Sequence, residues 1–302
     1  MSDTDADFDV DWARHWLLEP GTDFLNHGSF GACPKRVLNK QEELREQMER
    51  QPVRFFDREY LTLLDRARAE LADFVGADPA GMAFVPNATS GVNAVLRSRA
   101  FDPGDELLVT DHAYRACRKT LEFVAERSGA TIVTAEIPFP LEGPEEVVEA
   151  ILEATTPKTE LALIDYITSS TGLVLPIERI VEELSERDVD TLVDGAHAPG
   201  MVDLEVEQLG ATYFAGNCHK WLCAPKGAGF LWVEEYERED VHPTTISNWY
   251  RETAEGRSSY QMEFDWIGTD DPTAWLSVPT AIDFLGALLP ELRGLGFSIL
   301  DD

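Results

Sequence analysis

Positive charge is scarce in this sequence. Against 56 acidic residues stand 25 basic ones, giving a net charge of −31, and only six of the 25 are lysine. So acidic a chain repels both the phosphate backbone of nucleic acid and an anionic membrane surface, which excludes them as partners. Cysteine is sparse too. The four present (Cys33, Cys117, Cys218, Cys223) lack the spacing of a stapled secreted domain, and the C-x4-C of the last two is wider than a redox C-x-x-C. Six scattered histidines form no zinc-binding pattern, so no metal is expected. No apolar run approaches a membrane span. The start, Met1 to Asp9, has neither the basic beginning nor the apolar centre of a signal peptide, which makes the cytoplasm the expected compartment. A nucleotide-binding glycine loop is also missing: no G-x-G-x-x-G or P-loop follows a strand pattern.

What is present suits a globular enzyme. The 302 residues, 44% of them hydrophobic, can bury a sizeable core. Residues 1–33 read as an irregular arm, 34–272 as a large domain, and 273–302 as a linker helix entering a small domain. Helical spacing covers 35–50 and 57–75, separated by Pro52. Strand candidates then follow at 82–85, 106–110, 131–135, 161–167, 191–193, 213–215 and 229–233. Between most of them lie amphipathic helical patterns, at 89–99, 114–128, 144–154 and 176–187. That alternation predicts an α/β fold, a mostly parallel sheet with helices on both faces. In such a sheet ligands sit beyond the carboxyl ends of the strands.

Three segments at those ends carry chemistry. Pro86-Asn87-Ala88-Thr89-Ser90-Gly91 opens a helix, whose free N–H groups and dipole can hold a phosphate; Thr89 or Ser90 could equally be an ordinary N-cap. Asp194 closes an apolar strand, where a carboxylate is costly unless it meets a cation or a donor, although it could also cap a loop. His197, three residues on, is either a site residue or a satisfied core histidine. Lys220 stands beside Trp221 and Leu222; burial there would lower its pKa and free its amine as a nucleophile, unless the chain snorkels to water. Lys226, between Pro225 and Gly227, is a rival in what reads as a plain turn. His112, after the second strand, and Thr168 to Gly172, after the fourth, add a flat ring and hydroxyls at the same edge.

Together these segments resemble the class V aminotransferase superfamily of fold-type I pyridoxal-phosphate enzymes, in the isopenicillin N epimerase-like branch. The resemblance rests on Leu25 to Gly31, Asn87 to Gly91, Asp111 to Tyr114, Asp194 to Gly200, His219 to Trp221 and Trp266 to Pro272. It implies pyridoxal 5'-phosphate (PLP) as cofactor, held by Lys220 as a Schiff base, with Asp194 on the pyridine nitrogen and His112 stacked on the ring. It further implies His197 and Ser169 or Thr168 near the phenolic oxygen, and Thr89, Ser90 and His219 on the phosphate. Gly268 and Thr269 would reach the phosphate of the other subunit in a homodimer with shared sites, and Asn26 and His27 would approach an amino-acid substrate. Racemisation, transamination and β-elimination all fit this set. Such relatives continue into a small C-terminal domain carrying a carboxylate-binding arginine, and the sequence stops where that domain should start. The implication is a truncated small domain. Either another arginine (Arg54, Arg251 or Arg257) or a second chain then completes the site, or the chain binds PLP with little turnover.

The acidic excess is spread over nearly every helix, a pattern that keeps a protein hydrated in concentrated salt, where self-repulsion is screened. The chain is therefore expected to be halophilic. Its denaturation midpoint should rise between low and molar salt; full stability at low salt would contradict this.

Overall fold

The computed structural model describes residues 12–294, and side chains to residue 288. Seven strands form one sheet in the order β1-β7-β6-β5-β4-β2-β3. They are β1 (Met82–Val85), β2 (Glu106–Thr110), β3 (Thr131–Ala135), β4 (Thr159–Asp165), β5 (Asp190–Gly195), β6 (Tyr213–Asn217) and β7 (Gly229–Val233). β2, β3, β4, β5 and β6 pair in parallel, while β7 runs antiparallel to both its neighbours, β6 and β1. Only β7 is reversed, because it follows β6 through a loop with no crossover helix.

The central strands are apolar on both sides because both faces are covered. On one face Val193, Phe214, Phe230 and Trp232 pack with helices α1 (Lys35–Arg50), α3 (Tyr60–Val75), α6 (Pro144–Ala154) and α7 (Ile177–Ser185). On the other, Leu192, Tyr213, Ala215 and Leu231 pack with α4 (Ala88–Ser98), α5 (Arg115–Ser128) and α8 (Ser259–Asp265). The alternation of adjacent residues between the two clusters is the period-two geometry of a strand.

Two expectations shift. The second helical stretch starts at Pro52, not at 57: a short α2 (Pro52–Arg54) leads through one π turn, Phe55–Glu59, into α3. Proline at a helix start loses no intrahelical bond, so Pro52 opens the helix it was expected to interrupt. β4 is Thr159–Asp165, two residues earlier than anticipated, and Ile167 instead bridges Val174 across a tight loop. α8 had no counterpart among the expected helices; Ser258 caps it by accepting from the Gln261 N–H at 3.2 Å. After it, α9 (Thr273–Leu276) and α10 (Val278–Gly294) lie against α1 and α3. The arm reaches the same place, with Trp16 edge-on to Phe284 at 5.5 Å. The start of a small domain, at 295–302, lies outside the described residues. No helix among the described residues is long and apolar enough to cross a membrane.

One buried ion cluster ties α3 to α8. Asp265, 3% exposed, accepts from Arg68 on Oδ1 and from Arg257 on Oδ2, the latter at 3.0 Å. Asp65 engages both arginines, and the Tyr60 hydroxyl donates to the Asp265 carbonyl at 2.7 Å. Removing one member of such a cluster strands the others in low dielectric, at a cost of about 3–5 kcal/mol. Asp265→Ala should lose stability of that order in chemical denaturation at fixed salt; a loss below about 1 kcal/mol would show that water reaches the cluster.

Candidate active site

The carboxyl ends of β1, β4, β5 and β6 and the turn after β2 surround a cleft of about 910 Å³. Each strand delivers its polar residue at or just past its carboxyl end, where the backbone leaves the sheet. Asp194 is the penultimate residue of β5, 2% exposed, and Lys220 lies three residues beyond β6, 9% exposed. Both line the cleft, with Thr89, Ser90, Ser169, His197, His219 and Asn26.

Hydrogen bonds and burial both bear on the charge of Lys220. The Trp221 indole N–H, which can only donate, sits 3.3 Å from His197 Nδ1. His197 must accept there. Burial first, and then the adjacent Lys220, pushes its pKa down to about 4, so at neutral pH it carries one proton, on Nε2. That nitrogen is 3.1 Å from Lys220 Nζ. Nε2–H therefore faces the lysine amine, which accepts from it when uncharged. Burial also lowers the Lys220 pKa, against an opposing pull from Asp194.

Asp194 is the complementary problem. Its Oδ1 accepts the Ala196 N–H at 3.1 Å and its Oδ2 the Cys117 thiol at 3.0 Å, but no cation pairs with it among the described residues. In register beside it on β4 is Asp165, also buried, with one oxygen taking the Tyr114 N–H at 3.3 Å and the other unpartnered. Burial raises the proton affinity of both carboxyls, and Asp194 raises that of Asp165 further.

The N-terminus of α4 opens on the same cleft. Its cap is Asn87, whose Oδ1 accepts the Ser90 N–H at 2.9 Å, so Thr89 and Ser90 are first-turn residues and neither is the cap. Asn217, at the end of β6, accepts the Ala88 N–H at 2.8 Å and pins this helix start to the sheet. His219 lines the wall, its Nδ1 2.9 Å from the Ala228 carbonyl.

The remaining candidates divide. His112 does not line the cleft: its Nδ1 is 3.0 Å from Thr171 Oγ1 and its ring packs near Phe139. Tyr114, two residues on, lines it instead, with its ring centroid 5.8 Å from Lys220 Nζ. His27 also turns away, toward Phe24, Trp221 and the Cys223 sulfur, and anchors the arm. Gly28 and Gly31 show why the arm can lie so close. A Cβ on Gly28 would press on His197 and Trp221 at 3.1 Å, and one on Gly31 (φ +64°) would strike the His219 carbonyl. Gly268 and Thr269 are not in this cleft. Neither are Arg54, Arg251 and Arg257; Arg54 pairs with Glu59, and Arg257 belongs to the Asp265 cluster. Lys226, read from sequence as a turn residue, does line the cleft.

A PLP molecule presents a phosphate, a pyridine nitrogen that binds a carboxylate when protonated, and an aldehyde that binds a neutral amine. The start of α4, the buried Asp194 and Lys220, whose pKa burial lowers, answer these in turn. The site fits the cofactor.

Comparison with known proteins agrees with this geometry. Residues 30–289 match the aminotransferase class-V family. The chain is 40% identical over 283 residues to an isopenicillin N epimerase of Amycolatopsis lactamdurans, covering 90% of this chain and 71% of the relative. It is 32% identical to a putative L-cysteine desulfhydrase 1 of Oryza sativa subsp. japonica, covering 92% and 60%. In fold it resembles the cystine C–S lyase C-DES, solved with its product cysteine persulfide, at a TM-score of 0.80 and 23% identity over 89% of this chain and 73% of that one. A variant of that lyase, at a TM-score of 0.78, carries glycine covalently linked to its PLP cofactor; it is 22% identical, covering 89% of this chain and 72% of the variant. The chain belongs to the class V aminotransferase family of PLP enzymes, in the isopenicillin N epimerase-like branch.

Proposed function

We propose that this chain binds PLP through Lys220 and acts on the α-carbon of an amino acid, as an epimerase, an aminotransferase or a carbon–sulfur lyase. The observation that carries the reading is the Trp221–His197–Lys220 relay, which presents the lysine amine, its pKa lowered by burial, to a cleft floored by a carboxylate. Relatives named as epimerases and as cysteine desulfhydrases support the substrate class. PLP, when bound, draws away the electron pair left on the α-carbon as a bond there breaks.

The chain's own residues do the rest. Lys220 is the attachment point for the cofactor and, when unattached, a base that takes and returns the α-proton. Asp194 supplies the negative charge that keeps the ring nitrogen protonated. Thr89, Ser90 and His219 receive the phosphate at the positive end of α4. His197, with Ser169 or Thr168, would lie near the phenolic oxygen. Tyr114 takes the ring-covering place that the sequence assigned to His112. Asn26, from the arm, and Lys226, from the far wall, face the substrate space, and Lys226 brings positive charge for a carboxylate. Gly268 and Thr269, turned away from this cleft, are left to serve the site of a second copy.

The purified chain with PLP in molar salt should show a visible absorbance band, and borohydride should fix the cofactor on Lys220. Lys220→Ala should lose both; a borohydride adduct persisting in that variant would sink the assignment. L-Cysteine converted with water to pyruvate, sulfide and ammonia would mark lyase chemistry, whereas loss of optical rotation with no product would mark an epimerase.

The relay makes its own prediction. In NMR the His197 ring should titrate with a midpoint of about 4, staying neutral through the working pH range. A midpoint at the ordinary histidine value would mean that the ring is hydrated and does not hold Lys220 uncharged.

A further inference from the structure

Behind the cleft floor lies a contact that the mechanism above does not use. Cys117, 1% exposed in the first turn of α5, places Sγ 3.0 Å from Asp194 Oδ2. Burial, and after it the neighbouring Asp194, pushes the thiol pKa far up, so it keeps its proton and donates. The other oxygen, Oδ1, is held by the Ala196 N–H at 3.1 Å. With one donor on each oxygen the plane of the carboxylate is set, whereas a single donor would leave it free to rotate about its broad terminal torsion. Strength is the second effect. A donor on a buried carboxylate favours its charged form, which burial opposes, and the Cys117 thiol acts in that sense on Asp194.

We propose that Cys117 is a positioning residue for Asp194: its thiol orients the carboxylate and keeps it charged to receive the ring nitrogen of PLP. The inference rests on the PLP reading above. The other titratable groups facing this carboxylate are Asp165 and Lys220, and the Thr89 hydroxyl approaches Cys117 from α4. A structural role alone would be filled by any small apolar side chain, because a buried cysteine packs as one.

The test compares Cys117→Val, which removes the donor and adds about a methyl group of bulk, with Cys117→Ser, which keeps a donor; Cys117→Ala, which removes the donor without added bulk, replaces valine if that variant does not fold. Losing a hydrogen bond to a charged group should weaken PLP binding about tenfold in the valine variant. The serine variant should stay within about twofold of the parent. In an Asp194→Asn background, Cys117→Val should have no further effect, since the charge it serves is gone. Parental PLP affinity in the valine variant, equal damage from serine, or an undiminished effect beside Asp194→Asn would each overturn the proposal. A second readout needs no cofactor. In the apo chain, carbon-13 NMR of the Asp194 carboxyl should show a higher titration midpoint in Cys117→Val and an unchanged one in Cys117→Ser. Failure of PLP to attach to Lys220 in the parent would defeat the proposed function and leave this arm standing.

Discussion

A carboxylate buried with no cation beside it is the constraint that organises this protein. Asp194 sits at the floor of the cleft, held only by an amide and a thiol, with a second carboxyl one strand away. Carrying such a charge into low dielectric costs several kcal/mol unless something positive completes it. The surrounding elements make sense as that completion deferred. β5 and β6 bring Asp194 and Lys220 to one edge, and α4 adds its positive end. Lys220 makes no hydrogen bond to Asp194; its amine lies 3.1 Å from His197 Nε2 instead.

Much of this was legible in the sequence because the fold is a parallel sheet. Apolar runs of four to seven residues mark strands, chemistry follows their carboxyl ends, and so Asp194, Lys220, Thr89 and Ser90 could be picked out before any coordinates. Strand ends were the weak point. Reading β4 as 161–167 treated the apolar Ile167 as strand, where the backbone had already left the ladder at Asp165. The same uncertainty favoured His112, close after β2, over Tyr114, since which of two nearby rings faces the cleft depends on how the turn unwinds.

Other residues gave no signal because their roles are made by partners distant in the chain. Asn217 looks like any polar strand end until it accepts the Ala88 N–H, 129 positions away. Cys117 reads as core, and Trp221 as apolar shielding, until the contacts with Asp194 and His197 are known. Lys226 was discounted because proline and glycine flank it, which was right about the turn and silent about where the turn lies. The ion cluster around Asp265 joins three segments and follows no local pattern.

The close packing of Gly28 and Gly31 has a consequence in time. These glycines leave the ribosome before the surface they fit, around His197 and His219 to Trp221, which is translated some 170 to 190 residues later. Through that interval the arm has nothing to dock on, while the chain behind it grows sheet and helices. The arm is thus made before its docking surface and placed after it, and the wall it forms beside Lys220 closes only over a cleft that already exists.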